Sequence, residues 1–94
     1  MLVDKLFDEI VEMYDIIVLD KQGEVLEKFT FGENGRKANL VSVRECYNDW
    51  YSALKQGQTV SLVNRTYLIN DGETSEPCYR VLAKHTQKGD LWNY

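Results

Sequence analysis

The chain is predicted to fold as an α+β two-layer sandwich, an antiparallel sheet of four to five strands carrying two helices in the order α-β-β-α-β-β-β. Three observations predict it. The N-terminal segment repeats its apolar residues at helical spacing, a second helical segment in the middle opens on a capping pattern, and short β-branched or alternating runs follow each helix. At 94 residues the chain has room for one core, so residues 1–94 are expected to form a single small domain.

In the first segment, MLVDKLFDEIVEMYD, Leu2, Val3, Leu6, Phe7, Ile10, Val11, Met13 and Tyr14 fill one half of a helical wheel. Asp4, Asp8, Glu12 and Asp15 fall opposite, within an arc of roughly 80°. Like charges one turn apart cost a few tenths of a kcal/mol per pair. A helix carries such a stripe for solubility, or because a basic partner neutralises it.

Ile16 to Leu19 then reads as a strand, Asp20-Lys21-Gln22-Gly23 as a turn, and Glu24 to Phe31 as the second strand of a hairpin. Gly32 to Lys37 is a loop. Ser42-Val43-Arg44-Glu45 matches a capping box and should open the second helix. Val43, Cys46, Tyr47, Trp50, Tyr51, Ala53 and Leu54 cover an apolar arc of about 160°, and Gly57 is the expected stop. Thr59–Val63 and Thr66–Ile69 are expected to be strands joined by a turn at Asn64-Arg65. Asn70 to Pro77 reads as a polar loop, Cys78 to Lys84 as an alternating strand, and Lys88-Gly89-Asp90 as a turn before Leu91-Trp92-Asn93-Tyr94. The two halves do not align, so no internal repeat is assigned.

Hydrophobic residues make up 44% of the chain and charged residues 28%, ordinary proportions for a globular protein. No apolar run approaches the roughly 20 residues that cross a bilayer. Acidic residues stand where a signal peptide would carry bases, and two cysteines do not build a disulfide framework, so the expected location is cytoplasmic. The net charge of −4 is uneven: residues 1–31 hold eight acids and three lysines, residues 32–94 seven acids and eight bases. No concentrated basic surface is apparent, which argues against direct nucleic-acid binding.

No reaction is named by the residues. His85 is the single histidine, and its spacings to Cys78 and Asp90 match no zinc pattern. Neither a nucleophile elbow nor a phosphate loop is present, and Gly32 to Lys37 lacks the Lys-Ser/Thr ending. The acids at Asp71, Glu73 and Glu76 do not follow a calcium-loop register. Asn64-Arg65-Thr66 is formally a glycosylation sequon but reads more simply as a turn. Cys46, inside the apolar arc, is expected to be inert, with its pKa raised by burial. Tyr47 and Trp50 are expected in the core and Tyr51 nearer the surface. No catalytic residue, cofactor or metal is therefore assigned.

Ile17-Val18-Leu19-Asp20-Lys21-Gln22-Gly23-Glu24-Val25-Leu26 resembles the opening hairpin of PAS-type sensor domains, over about a tenth of the chain. Such domains place several helices between their second and third strands, more than this length holds, and no ligand site is carried over.

The expected function is a non-enzymatic protein-binding module, an inhibitor or regulator of a larger host enzyme. Its recognition face is assigned to Asp4, Asp8, Glu12 and Asp15, with Leu91, Trp92 and Tyr94 as a second contact. The partner is expected to be another protein with a basic surface, and self-association is left open. One version is an acidic nucleic-acid mimic from a mobile element. The alternative from another class is a small-molecule-binding or oligomeric enzyme domain, with a pocket between the layers.

Overall fold

The computed structural model describes residues 9–32 and 37–88. Its elements are β1 (Glu9–Leu19), β2 (Val25–Phe31), α1 (Leu40–Ala53), β3 (Thr59–Asn70), β4 (Glu73–Thr74) and β5 (Cys78–Thr86). They form a mixed α/β fold with an antiparallel five-stranded sheet and, among the described residues, one helix. That helix is neither long nor apolar enough to cross a membrane.

The sheet is organised by β3. It pairs with β1 along eleven positions, from Glu9 opposite Ile69 to Leu19 opposite Thr59. Its other side is shared end to end by β4 and β5, and β2 closes the far side of β1. Irregularities at Val18/Leu19 against β2 and at Leu62/Val63 against β5 insert an extra residue on each outer strand, which bends the sheet.

Residues 9–15 correct the expected first helix. Segment Glu9–Leu19 is a strand, and its apolar residues lie on both faces rather than along one helical stripe. Ile10, Ile16, Ile17 and Val18 are β-branched and suit a pleated surface, and pairing with β3 supplies the partner that a short isolated helix lacks. Extension also separates Glu12 from Asp15, which stand on opposite faces of the strand.

A second correction concerns Asn64-Arg65. No turn forms there, because β3 runs unbroken through both residues. The reversal comes at Asp71-Gly72, where both residues take positive φ (53° and 81°) and Asn70 stands opposite Glu73. That is a two-residue hairpin loop of the kind Asp-Gly favours.

The β1–β2 hairpin forms where expected. Asp20 accepts backbone N–H bonds from Gln22 and Glu24 at 2.8 and 2.9 Å, and Gly23 takes φ 87°. The helix begins earlier than the Ser42 pattern suggests. Asn39 is its N-cap, its side chain accepting from the Val41 and Ser42 amides at 3.0 and 3.3 Å. Ser42 thus lies inside the first turn, and Leu54 closes the other end. Gly57 follows in a turn, and a Cβ there would sit 2.8 Å from that of Lys21.

α1 packs on the face of the sheet that carries Ile16, Val18 and Val60. These three, with Val43 and Leu54, are the buried core, and Phe29, Phe31, Cys46, Tyr47, Trp50 and Leu62 close around it. Burying each large aliphatic side chain contributes about 1.5–3 kcal/mol. Tyr47 and Trp50 lie against the core as expected, Trp50 with its ring 6.0 Å from that of Phe29. Tyr51 is exposed.

Candidate functional site

The polar residues brought together most tightly lie on the face of the sheet opposite α1. Asp15, 2% exposed, faces Thr30 across the β1–β2 pairing, and Arg65 reaches it from the diagonal position on β3. The Thr30 hydroxyl donates to Asp15 Oδ1 at 2.8 Å, and Arg65 Nη2 donates to the same oxygen at 3.0 Å. Arg65 Nε lies against Oδ2 in an ion pair, and Nη1 donates to the Tyr67 hydroxyl at 2.8 Å. Burial opposes the charge of Arg65, but the hydrogen bond and Coulomb attraction from Asp15, with the Tyr67 hydroxyl, outweigh it and hold the guanidinium above its ordinary range. This cluster fixes β1, β2 and β3 to one another.

The sequence-predicted recognition residues separate. Glu12 is exposed on the helix-side face of β1, whereas Asp15 is buried in its ion pair on the other. Asp4, Asp8, Leu91, Trp92 and Tyr94 lie outside the described residues. His85 is stacked on Tyr51, ring centroids 4.0 Å apart and planes inclined by 19°, so its ring helps seat α1 on β5. Both cysteines are free. Burial, with the nearby Asp49 carboxylate, pushes the Cys46 thiol up, while Cys78 is exposed at the start of β5. Among the described residues, no three His, Cys, Asp or Glu side chains gather in a metal-binding group.

A second accessible feature is the outer edge of β5. β5 pairs with β3 on one side, and among the described residues no strand pairs on the other. Such an edge presents a row of backbone donors and acceptors. Its apolar side chains stand in solvent: Tyr79 is 66% exposed, Val81 59% and Leu82 42%. Tyr79 and Val81, opposite Arg65 and Val63, share the face away from α1. Leu82 is the extra residue of the irregular pairing and, with Tyr14, Leu40, Val43, Tyr47 and Leu62, lines a cavity of about 380 Å³ at the head of α1. The edge therefore has an apolar surface on one face and, on the other, a mainly apolar recess that Arg44 and Asn48 of α1 also line.

Sequence reasoning found the alternation of Cys78 to Lys84 but not its exposure. That depends on strand order, which alternation does not encode. The roles of Arg65, Thr30 and Tyr67 carry no signal in the sequence, where Asn64-Arg65 reads as a turn. Comparison with protein families, with curated proteins and with solved structures gives no match for this chain.

Proposed function

We propose that this chain is a non-enzymatic protein-binding module that receives an extended segment of its partner along β5, and so regulates or inhibits that partner. The observation that carries the reading is the nine-residue edge strand with Tyr79, Val81 and Leu82 exposed. Main-chain hydrogen bonds to an added strand supply affinity, and the alternating side chains it projects supply specificity. Here one set would meet Tyr79 and Val81 and the other the recess beside Leu82. Two free thiols, one of them exposed, fit a reducing compartment, so the module is assigned to the cytoplasm.

Phage-displayed random twelve-residue peptides, panned on the wild type and counter-selected on Tyr79→Lys/Val81→Lys, test this. Both positions are exposed on an edge, so the variant is expected to keep its fold, as circular dichroism would verify. The reading expects clones that bind the wild type and lose at least about tenfold in affinity on the variant, a difference of about 1.4 kcal/mol. Clones that bind both proteins equally, or no enriched clones at all, would remove it.

A further inference from the structure

From the charges along β5 we infer that the partner segment is acidic, with two carboxylates an odd number of residues apart, three in the simplest case. This assignment of partner chemistry rests on the edge-docking reading above. Between Pro77 and Lys88 the chain carries Arg80, Lys84 and Lys88 and no carboxylate, although the protein as a whole is at −4. Across the pairing with β3, Arg80 stands opposite Asn64 and Lys84 opposite Ser61, so the strand inside offers neither of them an acid. Among the described residues the ion pair is that of Arg65 with Asp15, and both cations on β5 are left for an incoming strand.

Their placement fixes the spacing. Residues four apart on a regular strand share a face, but the register shift inserts Leu82 between Arg80 and Lys84. Their opposite numbers on β3, Asn64 and Ser61, are three apart and therefore on opposite faces. Arg80 thus projects on the α1 side of the sheet and Lys84 on the other. A regular strand added outside β5 meets both charges only if its own acids also alternate faces, at positions i and i+3 or another odd separation.

The same charges discriminate between occupants. Two copies of the chain pairing β5 to β5 would join two strands that carry cations and no carboxylate, so that pairing gains no opposite-charge contact. A single-stranded nucleic acid would meet Arg80, Lys84 and the exposed Tyr79, but also the negative charge of the whole protein, which opposes a polyanion.

The test uses twelve-residue Thr/Val/Ser peptides that differ in two positions: Glu at i and i+3, Glu at i and i+4, or Lys at i and i+3. A fourth probe is an oligothymidylate twelve-mer. Affinities are measured by fluorescence anisotropy at about 50 mM and about 500 mM salt, where screening lengths differ roughly threefold. The i, i+3 Glu peptide is expected to bind the wild type about fivefold more tightly than the Lys peptide, the size of two exposed ion pairs. It should also bind more tightly than the i, i+4 peptide. Both preferences should shrink at high salt, and Arg80→Glu/Lys84→Glu should reverse the first. Equal binding of all three peptides, lost in Tyr79→Lys/Val81→Lys, would sink the charge assignment and leave edge docking standing. Tightest binding by the oligothymidylate would replace a protein partner with a nucleic acid, and binding by none of the probes would remove the edge reading itself.

Discussion

Arg65→Met should be among the most damaging single substitutions outside the apolar core. It leaves the Asp15 carboxylate 2% exposed, with the Thr30 hydroxyl as its one remaining side-chain donor among the described residues. Removing one partner of a buried pair costs about 3–5 kcal/mol, because an uncompensated charge stays in place. Arg65 is itself 15% exposed and part of the site can take up water, so about 3 kcal/mol is expected. Asp15→Asn should cost less, about 2 kcal/mol, since the freed guanidinium keeps its bond to Tyr67 and can turn toward solvent. Urea unfolding of the two single variants and the double variant gives the coupling directly. With a slope of about 1–1.5 kcal/mol/M, Arg65→Met should lower the midpoint by about 2–3 M. The double variant should fall short of additivity by about 1–3 kcal/mol. The sign with pH is fixed by the guanidinium. Its folded pKa is raised above its ordinary value, so its stabilisation is complete below that ordinary value and lost only as the pH rises through the raised one. The coupling should therefore be unchanged between about pH 8 and pH 10. Single costs that add to within about 0.5 kcal/mol would refute the pair, as would an Arg65→Met cost below about 1 kcal/mol.

Other substitutions separate the observed elements from their alternatives. Asn39→Ala should cost about 1 kcal/mol by removing the cap of α1, whereas Ser42→Ala should be near neutral; the reverse order in thermal unfolding would restore the capping box at Ser42. Gly57→Ala combines positive φ with a Cβ 2.8 Å from that of Lys21 and should cost about 2 kcal/mol or more. Gly72→Ala meets only the φ penalty, about 1 kcal/mol, so equal midpoint shifts for the two would contradict the close approach at Gly57. Alkylation by iodoacetamide near neutral pH, followed by mass spectrometry, should modify exposed Cys78 well before Cys46, whose thiol is held protonated by burial and by Asp49.

Much of the local structure was legible in the residues. Asp20 to Gly23 announced its turn, the apolar arc from Val43 to Leu54 announced α1, and the alternation after Pro77 announced β5. What failed did so for physical reasons. Met1 to Asp15 carries apolar residues that satisfy a helical period, yet in Glu9–Leu19 a strand with two partly buried faces uses the same residues. Periodicity alone does not separate these states, and the β-branched content of residues 10–18 is the signal that favours extension. Asn64-Arg65 has turn composition, but each residue has a tertiary use that outweighs it. Asn64 donates to the Met13 carbonyl at 3.4 Å and accepts from the Thr66 hydroxyl at 3.0 Å, and Arg65 neutralises Asp15. The Asp-Gly pair at 71–72 carried the stronger hairpin signal inside a stretch that reads as loop. The β5 edge could not be read at all, because it exists only once β3 has taken β1 on one side and β5 on the other.

Hydrogen exchange measured residue by residue across β5, with and without the i, i+3 Glu peptide, tests strand addition most directly. Edge docking predicts that alternate amides between Cys78 and Thr86, those directed away from β3, gain protection on binding, while the exposed face of α1 does not change. Protection gained on α1 with β5 unaltered would place the partner elsewhere and contradict the account.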